Sequence, residues 1–190
     1  MMKKLLIVLA VFTTGINNAH AQDFRAAAWG NSLNTVKTQE KSQFIAKVSN
    51  DELSYKDILG GSGCDVIYIF NDNDKLTSGL YIFTKKYSNP QLYVQDFNKF
   101  KTLLTEKYGK PVTENESWSV KASAIEKNNY GQAVADGNLS LSTVWNTERS
   151  VVKILLVMVD KHPSLQIHYT ARSLDELENL EDLKAALKKL

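Results

Sequence analysis

The sequence contains a single cysteine, Cys64, among its 190 residues. A chain with one cysteine cannot form an internal disulfide, so its fold has to depend on a packed core even in a compartment that permits disulfides. We interpret Cys64 as a small buried apolar residue, the usual state of an unpaired cysteine. A disulfide between two molecules is the alternative that the sequence leaves open.

Long apolar runs are also scarce. The run from Leu5 to Phe12 is too short to cross a bilayer, which takes about 20 apolar residues. It follows two lysines and precedes the small-x-small triplet Ala19-His20-Ala21. This pattern predicts a secretory signal peptide over residues 1–21, cleaved after Ala21. We therefore expect an exported mature protein, periplasmic or secreted, that has no transmembrane segment and, lacking a cysteine at the cleavage point, no lipid anchor.

The predicted mature chain has no excess of either charge. The whole sequence has 23 Lys and Arg against 21 Asp and Glu, but Lys3 and Lys4 lie in the signal peptide, which contains no acidic residue. The mature 169 residues therefore carry 21 charges of each sign. Such a balance does not favour a nucleic-acid partner or a polybasic membrane surface, and we expect neither.

What the sequence does contain is one pattern of strands and a helix that occurs twice. It predicts a short helix from Leu33 to about Lys41, with Ser32 as its cap. It then predicts strands over 53–59, 64–70 and 76–86 before a helix at 90–108, and strands over 139–145, 151–159 and 165–171 before a helix at 174–189. The predicted fold class is α+β, with an antiparallel sheet or sheets built from two strand-strand-strand-helix halves and helices packed on one face. Whether the halves share one sheet stays open.

The same pattern predicts the domain organisation. After the signal peptide, one α+β domain spans 22–172, with halves at about 22–110 and 137–172 and a polar connecting region at 111–136. A C-terminal amphipathic helix occupies 173–190, opened by a capping box of Ser173 and Glu176. Its leucines recur at helical spacing, and we expect them to cover the sheet.

Motifs for catalysis, cofactors and metals are missing, and we predict no catalytic residue, no cofactor and no metal site. The predicted mature chain has two histidines, His162 and His168, and two histidines six residues apart do not make a metal site without further ligands. A hydrolase that uses one of them with a carboxylate is an alternative function, since such a site needs a geometry that sequence does not reveal.

Four residues are candidate binding residues. Arg25 and Trp29 lie in the stretch that opens the mature chain, and Trp118 and Tyr130 lie in the polar connecting region. A structural role is the stronger interpretation of the opening stretch, with Phe24 and Trp29 packed against the sheet and Arg25 bonded to a carbonyl or a carboxylate. Trp118 is the more conspicuous aromatic because its surroundings are polar.

Two motifs carry a resemblance to known proteins. They are Phe24-Arg25-x3-Trp29-Gly30-x-Ser32-x3-Val36 and Tyr130-Gly131-x-Ala133-x3-Gly137-x-Leu139-x5-Trp145. In these motifs and their order, the chain resembles a family of exported bacterial proteins of unknown function over most of residues 23–172. That resemblance implies no activity and no catalytic residues.

The helix start at Gly30-x-Ser32-x3-Val36 also loosely resembles small modules of outer-membrane assembly lipoproteins and β-lactamase-inhibitor-like proteins. Those modules pack helices on an antiparallel sheet and bind other proteins. The present chain lacks the anchoring cysteine of the lipoproteins and the disulfides of the inhibitors.

Together these observations predict an exported, non-catalytic protein that binds a protein or a cell-envelope component, with an envelope protein as the expected partner. The alternatives are the hydrolase and a small-ligand carrier. A carrier would need an apolar cavity between the sheet and its helices. The sequence gives no oligomeric state.

Overall fold

The computed structural model describes residues 22–49, 51–120 and 128–189, so the predicted signal peptide lies outside the described residues. The helices are α1 (Leu33–Gln39), α2 (Gln91–Tyr108), α3 (Tyr130–Ala135) and α4 (Leu174–Leu187). The strands are β1 (Gln43–Ser49), β2 (Glu52–Leu59), β3 (Ser62–Phe70), β4 (Leu76–Phe83), β5 (Thr113–Trp118), β6 (Leu139–Asn146), β7 (Ser150–Val159) and β8 (His162–Ala171). Within these ranges, no helix combines the length and the apolar character that crossing a bilayer requires.

The eight strands form one antiparallel sheet in the order β1-β2-β3-β4-β8-β7-β6-β5. Strand β4 pairs with β8, from Ser78 opposite Thr170 to Ile82 opposite Gln166. β4 and β8 are the last strands of the two predicted halves, and they meet at the centre of the sheet. The two halves therefore share one sheet, a point that the sequence left open. The prediction of a mixed α+β fold with helices packed on an antiparallel sheet is confirmed.

The two outermost strands, β1 and β5, were not predicted. β5 has the polar sequence TENESW, and its first five residues are exposed. β1 pairs with β2 through a register that is interrupted twice. An edge strand has one neighbour and little buried surface, so it needs no apolar alternation, and charges and irregular register protect such edges from further pairing. The connecting region 111–136 thus contributes β5 and α3.

Side chains alternate between two environments along the central strands. In one cross-strand row, Val66, Tyr81, Ile167 and Ile154 are all buried. The next row, to which Leu80 belongs, points to the opposite face of the sheet, and its side chains are half-buried or exposed. Helix α2 contacts the buried rows, as the Phe83–Phe100 ring pair at 4.4 Å and the Tyr108–Tyr169 pair at 6.4 Å show. The main core therefore lies between the sheet and α2.

Helices α2 and α3 approach each other closely at one glycine. The Gly131 amide donates to Gln91 Oε1 at 3.1 Å. A Cβ atom at Gly131 would lie 2.5 Å from the Gln91 backbone nitrogen, closer than real Cβ contacts allow. A glycine is therefore required for this contact, which gives a packing reason for one residue of the second sequence motif.

The C-terminal helix differs from its prediction in two ways. Ser173 is its N-cap residue, but the Ser173 side chain makes no capping hydrogen bond, so the predicted capping box is not formed. Leu177 is its only buried residue, while Leu183 and Leu187 are 59% and 60% exposed. The expectation that the leucines cover the sheet is wrong for the distal half of α4. The side chains that reach the body of the protein there are Glu181 and Lys184, which pair with Arg149 and Glu148.

Candidate functional site

The buried ring of Phe24 holds the opening stretch of the mature chain against a layer of tyrosine rings. Phe24 is 1% exposed, and its ring centroid lies 5.1 Å from those of Tyr68 and Tyr81 and 5.2 Å from that of Tyr169. It lies over Gly79, where a Cβ atom would be only 2.1 Å from Phe24 Cδ1. The register explains this site, because Gly79 pairs with Tyr68 on one side and Tyr169 on the other. Because Gly79 has no side chain, the layer of tyrosine rings has a gap at this position, and the Phe24 ring fills the gap.

A second anchor joins this stretch to the β6–β7 turn. Arg149 donates to both carboxylate oxygens of Asp23, from Nε at 2.6 Å and from Nη2 at 3.0 Å. The same carboxylate accepts the Trp29 amide at 2.8 Å, and the Trp29 indole Nε1 donates to Ser150 Oγ at 2.9 Å. Trp29 is 6% exposed, so the structure places it in the core.

The start of α1 is fixed by backbone and cap bonds. The Gly30 amide donates to the Leu76 carbonyl, and the Leu76 amide donates to the Asn31 carbonyl, both at 2.9 Å. Ser32 Oγ accepts the Thr35 amide at 3.2 Å, so the predicted cap is confirmed. Gly30 and Ser32 therefore serve the fold, as the structural interpretation predicted.

Arg25 is the centre of a polar network. Its Nε donates to Glu40 Oε2 at 2.8 Å, and its Nη2 lies 2.6 Å from Asp57 Oδ2 and 2.8 Å from Ser42 Oγ. Its backbone has a φ of 57°, in the left-handed region that non-glycine residues rarely occupy. Strained backbone persists where the surroundings hold it, and here the two carboxylates and a hydroxyl do so. We call Arg25, Glu40, Ser42, Asp57 and Tyr68 the arginine clamp.

Glu40 is the acceptor at the centre of this clamp. Its side chain is 3% exposed and accepts hydrogen bonds from Arg25, the Tyr68 hydroxyl and the amides of Lys41 and Ser42. Burial opposes ionisation, but the bonds from Tyr68, the Ser42 amide and Arg25 outweigh it and lower the pKa of Glu40 to about 2. Burial and the hydrogen bond to Glu40 in turn raise the pKa of Tyr68.

This pKa predicts a loss of stability in acid. Between about 2 and the ordinary value of 4.5, the unfolded chain binds a proton at Glu40 that the folded chain does not. The contribution of Glu40 is therefore complete above about pH 4.5 and decreases as the pH falls towards 2. We expect urea unfolding between pH 6 and pH 2.5 to show this decline, with the Glu40→Gln variant less stable at pH 6 and less sensitive to acid by about one proton.

Asp51 provides the control for that measurement. Its pKa is also lowered, by a hydrogen bond from Ser49, but it lies on the exposed surface. Asp51→Asn should change the stability at pH 6 much less than Glu40→Gln does. An acid profile of Glu40→Gln that runs parallel to that of the wild type would contradict the assignment to Glu40.

Beside the opening stretch lies an open cleft with a volume of about 530 Å³. It lies between residues 22–25, the end of α2, the β6–β7 turn and strands β4, β7 and β8. We call it the tyrosine cleft, after the three tyrosines in its wall. The residues that give it chemical character are Arg25, Tyr81, Lys107, Tyr108, Arg149 and Tyr169.

The charged groups of the tyrosine cleft differ in how far they are engaged. The guanidinium groups of Arg25 and Arg149 are each paired with two carboxylates. The Lys107 ammonium lies 5.0 Å from the centroid of the Tyr108 ring. It is in none of the ion pairs found among the described residues. Among the described residues, the cleft thus offers one cation without an ion pair, held only against an aromatic ring, beside two cations that are paired with carboxylates.

The tyrosines of the cleft supply hydroxyls and ring surface. Tyr108 donates to the Tyr169 hydroxyl at 3.3 Å, and Arg25 lies 5.9 Å from the Tyr81 ring centroid. Burial is the main cause that raises the pKa of Tyr81 and of Tyr169, so both stay protonated at neutral pH. They remain hydrogen-bond donors, and the cleft presents aromatic surface with fixed polar groups around it, a composition typical of ligand pockets.

Of the four candidate binding residues, the structure brings only Arg25 to the tyrosine cleft. Trp118 ends edge strand β5 and packs edge-to-face on Tyr130, with ring centroids 5.5 Å apart. Tyr130 begins α3, and its hydroxyl donates to Glu116 at 2.7 Å. This pair connects α3 to the edge of the sheet. Tyr130 also lines a smaller groove of about 310 Å³ beside α2, and Trp118 does not.

The two histidines lie elsewhere. His168 is on the sheet face away from the core, hydrogen-bonded to Gln166 at 2.7 Å, and burial and the nearby Lys153 lower its pKa. His162 lines a shallow groove with Lys85, Lys86 and Ser164. In the described part of the chain, neither histidine has a hydrogen bond or an ion pair to a carboxylate. The structure therefore brings neither of them into a site with a carboxylate and a nucleophile.

Cys64 is 2% exposed, and burial raises the pKa of its thiol to about 11, so it is protonated and screened from solvent. The interpretation of Cys64 as a buried residue is confirmed. Over the residues that the structure covers, no three His, Cys, Asp or Glu side chains are grouped so as to hold a metal ion.

Comparison with known proteins gives no further guidance. No protein family, no curated protein and no solved structure matches the chain. The resemblance noted from the two motifs therefore stays a prediction.

Sequence reasoning missed most of the tyrosine cleft. Lys107, Tyr108, Arg149 and Tyr169 come from three separate elements, and none of them lies in a recognisable motif. One available signal was the alternation of β8, which placed Tyr169 on the buried face with Leu165 and Ile167. That signal gives the face of the residue but not its neighbours.

Proposed function

We propose that this protein is an exported, non-catalytic binding protein that holds a component of the cell envelope in the tyrosine cleft. The observation that supports this proposal is the cleft itself, in which aromatic surface, phenolic donors and the Lys107 ammonium, which has no ion pair among the described residues, surround one open volume. Export, by cleavage of the signal peptide after Ala21, is part of the proposal. The envelope component can be a small molecule or an exposed group of a protein.

The rigidity of the cleft supports binding. Asp23 fixes Arg149, the arginine clamp fixes Arg25, and Phe24 packs behind Tyr81 and Tyr169. Groups that are already held in place lose little conformational entropy when a ligand arrives, which favours affinity. The end of α2, the β6–β7 turn, residues 22–25 and strands β4, β7 and β8 supply the walls from which these groups project.

The two alternative functions have less support. The hydrolase needs a histidine close to a carboxylate and a hydroxyl, and both histidines lie outside the tyrosine cleft. The carrier needs apolar space between sheet and helix, where Tyr93, Phe97 and Phe100 are instead buried in the core. The tyrosine cleft is open and mixed in polarity, so it suits a ligand with polar groups better than a lipid tail.

Binding can be tested with the tryptophan indole resonances of ¹⁵N-labelled protein. The Trp29 indole donates to Ser150, which lines the cleft, whereas the Trp118 indole lies at the far edge of the sheet. We would add separated glycan, lipid and peptide fractions of the bacterial envelope. The expected result is that one fraction shifts the Trp29 resonance in a saturable way and leaves the Trp118 resonance in place.

Two matched lysine variants localise the site. Lys107→Ala removes the cation of the cleft that is not paired with a carboxylate. Lys101→Ala removes a lysine of the same helix that pairs with Glu114 outside the cleft. We expect Lys107→Ala to weaken binding about tenfold, equivalent to about 1.4 kcal/mol, and Lys101→Ala to leave it unchanged. Equal binding by both variants would reject the cleft as the site, and no response to any fraction would reject the proposed function.

A further inference from the structure

The anchored part of the opening stretch begins at Asp23. The Asp23 amide donates to the Ala27 carbonyl at 2.9 Å. The Asp23 carboxylate accepts hydrogen bonds from the Trp29 amide and the Arg149 guanidinium. Gln22 is exposed, and its side chain makes none of the hydrogen bonds found among the described residues. Gln22 therefore extends the anchored chain by one residue, with an exposed side-chain amide.

Gln22 is also part of the wall of the tyrosine cleft. Cleavage after Ala21 gives it a free α-ammonium group. The first residues of a domain usually form a poorly ordered tail, but here the bonds of Asp23 hold the mature chain from its second residue onwards. The new terminus therefore lies at the cleft. It adds a positive charge to three cationic and two anionic side chains of the cleft wall, namely Arg25, Lys107, Arg149, Asp23 and Glu148.

An N-terminal glutamine contains both groups of an intramolecular reaction. The neutral α-amine is the nucleophile, and the carbonyl carbon of the side-chain amide is the electrophile. The bond from the α-nitrogen to Cδ forms and the bond from Cδ to Nε2 breaks, so that a five-membered lactam results. The departing nitrogen takes a proton from the amine and leaves as ammonia, and nothing is oxidised or reduced. Two groups in one residue react at a high effective concentration, and an α-amino group with an ordinary pKa of about 7.7–8.0 is partly neutral at physiological pH.

We propose that Gln22 is a modification site, converted after signal cleavage into pyroglutamate, and that this lactam forms part of the wall of the tyrosine cleft. The inference rests on the export that belongs to the proposed function. Cyclisation removes the α-ammonium group, so the charge of the cleft is set by its side chains alone. The lactam also replaces a flexible side chain with a rigid ring that carries one N–H donor and one carbonyl acceptor, which favours binding of a polar ligand.

The first test is mass spectrometry of the exported protein, isolated from bacteria that express the full-length chain. Amines of the intact protein are labelled first, so that no cyclisation can follow during handling. A glutamate-specific protease then releases the peptide 22–40. We expect the wild-type peptide to be unlabelled at its N-terminus and lighter by one ammonia than its sequence. The control is Gln22→Ala, which cannot cyclise and should be labelled there.

The second test places the terminus at the cleft. The Trp29 backbone amide is the reporter, because its acceptor Asp23 directly follows Gln22. In ¹⁵N-labelled Gln22→Ala, the α-ammonium group should lose its proton between about pH 6.5 and about pH 8.5 and shift the Trp29 resonance. The cyclised wild type has no such amine and should lack this step. All other titrating groups are common to both proteins, so the difference between the two curves reports the amine.

Three results would overturn the proposal, and they differ in what else they affect. A mature chain that begins at Gln22 with a labelled amine would overturn it and leave the proposed export standing. Identical Trp29 titrations in the two proteins, with the wild-type terminus blocked, would overturn the placement at the cleft. A mature chain that begins at another residue would overturn this proposal together with export by cleavage after Ala21. A failure of envelope fractions to bind would instead affect only the proposed function.

Discussion

Phe24→Ala should lower the free energy of unfolding by about 3–5 kcal/mol, the usual cost of removing a buried phenylalanine. The ring is 1% exposed and contacts Tyr68, Tyr81 and Tyr169, so its loss leaves a cavity that the backbone of Gly79 cannot fill. Equilibrium unfolding in urea measures the change. The effect should be large because the cavity lies between tyrosines that are fixed in neighbouring strands.

A double-mutant cycle with Gly79 tests this explanation. Gly79→Ala alone should cost about 2–3 kcal/mol or more, because the new methyl group would lie 2.1 Å from Phe24 Cδ1 and the ring has to move. In the Phe24→Ala background the same change should cost much less, since the clash is gone. Gly63→Ala is a suitable control, because its methyl group would meet only Thr84 Oγ1 at 3.4 Å. Additive effects of the Phe24 and Gly79 changes would show that the two residues do not share a site.

Arg25→Met should lower the free energy of unfolding by about 3 kcal/mol, because it leaves the Glu40 carboxylate buried without its cation. The Glu40 side chain is 3% exposed, whereas that of Asp57 is 35% exposed and can be hydrated. Arg25→Lys keeps the charge but loses the geometry that joins Glu40, Ser42 and Asp57, so it should fall between the wild type and Arg25→Met. Urea unfolding at pH 7 gives all three values.

Replacing Glu40 as well as Arg25 distinguishes the loss of their ion pair from the loss of side-chain packing. Arg25→Met combined with Glu40→Gln removes the unpaired charge, so the double variant should be more stable than Arg25→Met alone. Lys101→Ala breaks the Lys101–Glu114 pair, whose side chains are 32% and 54% exposed, and should cost less than about 1 kcal/mol. If Arg25→Met were as mild as this control, the clamp would not hold the opening stretch in place.

Local patterns predicted the interior of the fold well. The spacing of Tyr93, Phe97, Phe100 and Leu104, with Gly109 after them, predicted α2, and the structure confirms it as Gln91–Tyr108. Apolar spacing and a terminal glycine predict a helix because a helix repeats every 3.6 residues and its ends favour particular residues. β5 had no such signal, because an edge strand of exposed Glu, Asn and Thr side chains resembles a loop in sequence.

The candidate site was less accessible to prediction. Arg25 was predicted to bond a carbonyl or a carboxylate, but its partners Glu40 and Asp57 could not be chosen from the 21 acidic residues of the chain. Asp23 and Arg149 are 126 positions apart, and no local pattern relates them. Gly79 gave no sign in the sequence that it receives Phe24.

The sequence by itself determined the α+β class, the helices with clear ends, the central strands and the buried state of Phe24, Trp29 and Cys64. Each of these depends on periodicity, on capping or on the hydrophobicity of a side chain, which act over a few residues. The tertiary structure alone decided that β4 and β8 join two halves into one sheet, that Arg25 lies beside three tyrosines in one cleft, and that α4 turns its leucines to solvent. Those outcomes depend on contacts between distant residues, and such contacts are selected by the packing of the whole chain.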